Sequence, residues 1–213
     1  MTIYALSTAN GIAGLAVIRV SGHLALTALK TLSRKSHFEP NLMTRTNFFD
    51  PQTGQQIDKG LAVFFAKPNS FTGEDVVEIH IHGGFSTVNL TLKALGSIDQ
   101  LRLAEPGEFS KRAFINNKMD LTAIEAMGDL INAQTEAQHN QALNQMGGSL
   151  NKLYMSWRKD LVELVAYLEA EIDFADEDIP EDILKNTNSK IDNLLQQMNQ
   201  HLGERHKGEI LRD

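Results

Sequence analysis

The chain has 213 residues, 42% of them hydrophobic, enough for one ordinary core or a smaller core plus an appended helical unit, so wholesale disorder is excluded. The absence of cysteine rules out disulfides, thiolate metal sites and cysteine nucleophiles, and agrees with a reducing, cytoplasmic setting. The net charge of −7 hides a division: residues 1–118 carry 12 Lys/Arg against 9 Asp/Glu, and residues 119–213 carry 8 against 18.

Taken in chain order, alternating or β-branched runs at Thr2–Leu6, Leu15–Val20, Leu61–Ala66 and Asp75–His82 are expected to be strands, separated by glycine, proline and asparagine clusters. Helices are expected over about Gly22–Leu32, with Ser21 as an N-cap, and about Phe85–Leu95, opened by Ser86 or Gly84. Interleaved strands and helices give an α+β domain with a mixed sheet. After Lys118 the period becomes helical: one helix from Asp120 to about Met146, a break at Gly147-Gly148, and a second helix capped by Ser149. That second helix carries the seam Leu150, Tyr154, Trp157, Leu161, Leu164, Leu168 and Ile172, which requires a facing helix. A third helix is expected from Glu181 to about Leu202, and Gly203–Asp213 reads as a linker. These three form an antiparallel bundle or part of one. The domains are therefore expected at 1–118 and 119–213.

The longest strongly apolar run, Leu61–Ala66, is far too short to span a bilayer, and the N-terminus has no export signal. A soluble protein with no membrane partner is the expectation. The acidic second half repels phosphate, so any nucleic-acid surface is expected on the first half or on another chain.

Strand alternation puts Val77, Ile79 and Ile81 on one face of the Asp75–His82 strand and Glu78, His80 and His82 on the other. That polar face ends at Gly83-Gly84, where α/β sheets tend to hold ligands. The simplest expectation for His80 and His82 is half-exposed surface histidines, since a metal site lacks a third and fourth ligand. Arg19 lies in an apolar strand and needs an anionic partner. Two readings stand level: a structural ion pair with Glu78, or a pocket in which Arg19 meets an anionic group and Glu78 accepts two adjacent N–H donors of a heterocycle. Lys118 follows a short helix opened by Pro106-Gly107 and interrupted at Asn116-Asn117, at the junction of the two pieces; it is placed to reach a bound anion, but read as an isolated lysine it is expected to be surface decoration. The acidic run Asp173–Asp182 lacks EF-hand spacing and reads as a solvated turn between helices. No phosphate-loop motif is present.

Several separated blocks then carry a resemblance: Ala16-Val17-Ile18-Arg19-Val20-Ser21-Gly22, Pro68-Asn69-Ser70-Phe71-Thr72-Gly73-Glu74-Asp75-Val76-Val77-Glu78, His82-Gly83-Gly84, Pro106-Gly107-Glu108-Phe109-Ser110, Ala113-Phe114, Asn117-Lys118-Met119-Asp120-Leu121, Glu125-Ala126 and Ile172-Asp173-Phe174. In that order they resemble the MnmE (TrmE) family of tRNA modification GTPases, along the whole chain. The resemblance implies an N-terminal domain similar to the folate-binding domain of the glycine-cleavage aminomethyltransferase, then a helical domain carrying an inserted GTPase domain. It implies a homodimer through the N-terminal domain and an FAD-dependent partner, MnmG (GidA). Together they place an aminomethyl or carboxymethylaminomethyl group on C5 of the tRNA wobble uridine, with 5-formyltetrahydrofolate or methylenetetrahydrofolate as one-carbon donor.

By that resemblance the family's folate-contacting Arg, Glu and Lys match Arg19, Glu78 and Lys118. GTP, Mg2+ and K+ would bind in the GTPase domain, so these 213 residues are expected not to hydrolyse GTP, and no catalytic residue is assigned among them. Two departures are visible: Asn10-Gly11-Ile12-Ala13-Gly14 stands where the family usually has a Pro-Gly-Arg-Gly-Gly type loop, so any contact made by that arginine is expected to be absent, and the family's P-loop, potassium-dependent switch and C-terminal cysteine motif are not among these residues. Because the family completes its helical bundle with later helices, seam residues such as Leu161 and Leu168 are expected to be exposed. An alternative to folate binding is a dimerising, MnmG-docking scaffold with a vestigial pocket. An open polar cleft lined by Arg19, Glu78 and Lys118 favours the binder; a cleft closed by a direct Arg19–Glu78 pair favours the scaffold.

Overall fold

The computed structural model describes residues 1–173 and 181–212. The chain divides into two compact units, Met1–Met119 and Asp120–Asp213. In the first, strands β1 (Thr2–Leu6), β2 (Ala13–Ser21), β3 (Thr44–Phe49), β4 (Gln56–Phe65), β5 (Val76–Gly83) and β6 (Leu101–Leu103) form one sheet in the order β3-β4-β5-β2-β1-β6. Only the β1–β6 pair is parallel, so the sheet is mixed. Helices α1 (Ala25–Ser33) and α2 (Phe85–Gly96) supply Ala25, Ala28, Leu29, Leu32 and Leu95 to a core that includes Ile18, Val20, Val77, Ile79 and Ile81. The alternation of β2 and β5 thus spends one row of side chains on this core and leaves Val17, Arg19, Glu78 and His80 for the opposite face.

Two strands escaped the periodicity. In β3, Thr46 and Phe48 point inward while Arg45 and Asn47 are exposed, an alternation masked because half the inward positions are threonine. β6 is three residues long, too short to show a period. Ser21 does not cap α1; it stays in β2, where its hydroxyl meets Thr72 and Glu74 at 2.7 Å each. The Thr2 hydroxyl instead accepts the Leu24 N–H at 3.0 Å. Gly22 makes that contact possible: its φ is +132°, and a Cβ there would lie 2.6 Å from Thr2 Oγ1 and 2.8 Å from Thr2 Cα.

The second unit contains α4 (Leu121–Asn132), α5 (Glu136–Met146), α6 (Ser149–Asp173) and α7 (Glu181–Arg212). The expected single helix over 120–146 is two. Ala133 is extended, and Thr135 and Gln138 form a capping box that starts α5 afresh. Ser149 is the first residue of α6, its hydroxyl donating back to the Asn144 carbonyl. The third expected helix runs on through Gly203 to Arg212, so the supposed linker is helical up to that residue; its two glycines, Gly203 and Gly208, cost only about 1 kcal/mol each against the surrounding helix formers. Of the acidic run Asp173–Asp182, Asp173 ends α6 and Glu181 and Asp182 begin α7, and residues 174–180 lie outside the described residues.

Trp157, Leu164 and Leu194 are buried where α6 meets α7, with Leu153, Tyr154, Ile191 and Met198 packed against them. The Trp157 indole donates to Gln197 Oε1 at 3.1 Å. Of the rest of the seam, Leu150 is half-buried and Leu161, Leu168 and Ile172 are exposed. No helix among the described residues is long and apolar enough to cross a membrane.

Candidate functional site

The antiparallel register of β2 and β5 sets Arg19 directly opposite Glu78, and Val17 opposite His80. Cross-strand partners of opposite charge on one face meet without further machinery. Arg19 Nε and Nη2 both donate to Glu78 Oε1, at 3.0 and 2.8 Å. The pair is three-quarters buried, and the guanidinium lies 5.0 Å from the Phe71 ring centroid and 5.8 Å from that of Phe109. Two aromatic faces around a desolvated cation strengthen its hold on that position.

Glu78 thus spends one oxygen on Arg19. The other, Oε2, lies 3.6 Å from His80 Nε2, too far for a hydrogen bond. That nitrogen is buried and has no hydrogen-bond partner. His80 is therefore not the half-exposed surface residue expected of it, because the neighbouring strands leave its ring only 16% exposed. His82 is exposed, and its Nδ1 and backbone N–H both engage the Asp58 carboxylate, at 2.9 and 2.8 Å. Burial pushes the Asp58 carboxyl upward, but the His82 backbone and ring bonds and the Lys59 N–H together hold it below the usual carboxylate range.

Lys118 is not joined to the pair. Its Nζ donates to the Pro68 carbonyl at 3.0 Å, and Gly73, with φ of +76°, lets the lysine stem pass: a Cβ there would sit 3.1 Å from Lys118 Cγ. The loop between β4 and β5 is the common element, since it offers Pro68 to Lys118 and Phe71 to Arg19. Helix α3 (Glu108–Ile115) braces that loop: Asn116 donates to the Thr72 carbonyl at 2.7 Å, and Arg112 Nη1 donates to both Glu74 oxygens at 2.9 and 3.2 Å. Behind Arg112 stands Glu108, which accepts from Arg102 at 2.6 and 2.8 Å, from Arg112 at 3.0 Å and from the Glu105 N–H. The Arg102 bonds lead in holding Glu108 down to about 2 against the opposing effect of burial.

Sequence reasoning missed Phe71, Phe109 and the Arg102–Glu108–Arg112–Glu74 chain. A signal existed for Glu108, acidic at the start of α3, but none told which arginines would reach it. Chemically, the face offers a carboxylate with one oxygen not hydrogen-bonded, a buried imidazole nitrogen without a hydrogen-bond partner, and an arginine against two aromatic rings, while the β4–β5 loop holds Lys118 through the neutral Pro68 carbonyl. Such a set can bind a polar heterocycle and an anionic tail.

An α+β domain with a mixed sheet, followed by an all-α unit, is the class of protein these elements define. Comparison with known proteins gives the family. The family described as "GTP-binding protein TrmE N-terminus" matches residues 2–118, and "MnmE helical domain" matches 121–213. The chain belongs to this TrmE/MnmE family.

Among its relatives, the tRNA modification GTPase MnmE of Parvibaculum lavamentivorans is 50% identical over 212 residues, covering 100% of this chain and 48% of the relative. The MnmE of Rickettsia bellii is 50% identical over 211 residues, 99% of this chain and 47% of the relative. That of Orientia tsutsugamushi is 46% identical over 211 residues. The chain spans about half the length of these relatives.

Proposed function

We propose that this chain is the folate-binding and dimerising part of a tRNA-modifying GTPase, acting with an FAD-dependent MnmG-type partner on the wobble uridine. The observation that carries the folate assignment is the unspent Glu78 Oε2 beside the partnerless His80 Nε2, on the sheet face flanked by Phe71 and Phe109. A pterin presents adjacent N–H donors on a flat ring, and its glutamyl tail is anionic. The donors suit Glu78, and the tail suits Arg19 or Lys118, each of which would trade its present partner for the ligand. The one-carbon donor would be 5-formyl- or methylenetetrahydrofolate. GTP, Mg2+ and K+ belong to a GTPase domain beyond these residues, and the site of action is the cytoplasm.

A second reading has its own support. The Arg19–Glu78 bond at 2.8 Å is the closed arrangement expected of a docking scaffold whose pocket no longer binds. Calorimetric titration of 5-formyltetrahydrofolate into the chain separates the two. A binder shows saturable heat, and Arg19→Ala or Glu78→Ala weakens it by roughly 10- to 150-fold, the loss of one charge-assisted hydrogen bond of about 1.5–3 kcal/mol. No heat from a demonstrably folded dimer would leave the scaffold reading standing.

A further inference from the structure

The proposed folate site occupies the β2–β5 part of the sheet, and the far edge of the same domain carries a different chemistry. Strand β3 is the edge strand, and Arg45 and Asn47 alternate outward along it, with Phe49 following at the same spacing. Across the β3–β4 ladder Asn47 faces Lys59, and Arg45 faces Leu61. Lys35, just beyond the end of α1, closes the group from the side. Together Lys35, Arg45, Asn47, Phe49 and Lys59 line an open concavity of about 390 Å³. Arg34 flanks it, its guanidinium 4.3 Å from the Phe49 ring centroid.

None of these four cations has a carboxylate partner among the described residues. Lys35 Nζ rests on the Arg45 main-chain carbonyl at 2.7 Å, and Arg34 Nη2 on the Gly54 carbonyl at 3.1 Å. Of the acids near them in sequence, Glu39 forms no ion pair with any of the four among the described residues, and the other two are already committed. Asp50 accepts the Gln52 and Thr53 N–H groups, and Asp58 accepts His82. A cation such as Arg45 on the edge strand also discourages edge-to-edge pairing. That role needs neither convergence from three elements on one concavity nor an aromatic ring among the cations. Unneutralised cations interleaved with an aromatic ring and a side-chain amide are the composition that tracks a nucleic-acid backbone.

We propose that this β3 edge is an RNA-contact surface, with Lys35, Arg45 and Lys59 on phosphates and the Arg34–Phe49 stack available to a base. The proposal rests on the tRNA-modification reading above and gives the RNA a place on the basic half of the chain. The test is fluorescence anisotropy of labelled, unmodified tRNA with the full chain across a salt series. In parallel, folate titration and light scattering are run on the same variants.

Arg45→Ala/Lys59→Ala is expected to weaken binding by about 10- to 30-fold at 0.1 M salt and to flatten the log–log salt slope by about 1.4, at roughly 0.7 per lost phosphate contact. Lys111→Ala/Lys152→Ala removes the same charge elsewhere and is expected to leave the slope unchanged. Equal losses in both double variants, or none in either, would overturn the proposal. So would tRNA failing to bind a chain that still binds folate, an outcome that leaves the folate assignment intact. Loss of both ligands by a folded chain would instead count against the reading on which the surface rests, and the surface would fall with it. If the β3 variant alters the oligomeric state and not RNA binding, the edge is a self-interface and the proposal fails.

Discussion

Glu108→Gln probes the chain of charges that braces the loop between β4 and β5. The Glu108 carboxylate is only 10% exposed and holds Arg102 and Arg112 together at 2.6–3.0 Å. Its pKa falls from 4.5 to about 2 on folding. Because the folded value is depressed, the stabilisation is fully present above pH 4.5 and is lost as pH falls through about 2. The full shift would correspond to about 3 kcal/mol at 1.36 kcal/mol per unit. Arg102 is 37% exposed, and solvent screening of that partner reduces the figure to roughly 1–2 kcal/mol.

Glutamine keeps the shape and removes the charge, so the variant should be less stable than the parent by about that amount at pH 7. The gap should narrow as both proteins are titrated from pH 4.5 toward 2. Urea unfolding followed by circular dichroism at pH 7, 4.5 and 3 reads it. A gap that is absent at pH 7, or that widens on acidification, would refute the reasoning.

Gly22→Ala should cost about 2 kcal/mol or more in the same unfolding assay, since its Cβ would meet Thr2 Oγ1 and Cα at 2.6 and 2.8 Å in a left-handed backbone. Wild-type stability in this variant would show that the β1–α1 contact is slack. In the helical unit, Trp157→Ala should cost about 3 kcal/mol, because the ring is 9% exposed and its indole N–H is bonded to Gln197. By contrast Leu161→Ala, at a position 45% exposed, should stay within about 0.5 kcal/mol. Equal effects of the two would mean that the α6–α7 seam is not what holds the unit together.

How far the sequence could be read depended on what each element spends its side chains on. β5 alternates cleanly because its apolar row fills a core and its polar row does not, so Glu78 and His80 could be placed on one face from period alone. Register could not be read, because it depends on partners 59 residues apart; hence the Arg19–Glu78 pair remained one of two options until the strands were aligned. β3 hid behind threonines, and α4 and α5 merged because a break made by Thr135 and Gln138 leaves no glycine or proline to mark it. The exposed half of the α6 seam was legible as a heptad, but periodicity says only that a face is apolar and not whether a neighbour covers it. Lys118 was found as a junction residue, while its bond to the Pro68 carbonyl depends on a loop whose path no pattern describes.

The central claim, that the Arg19–Glu78 face is a folate site, is tested most directly by a crystal structure of the chain soaked with 5-formyltetrahydrofolate. The pterin should sit against Glu78 and His80 with its donors on the carboxylate, and Lys118 or Arg19 should have moved from its present partner to the glutamyl tail. An unoccupied face at saturating folate, with Arg19 Nη2 still 2.8 Å from Glu78 Oε1 and Lys118 still on the Pro68 carbonyl, would contradict it.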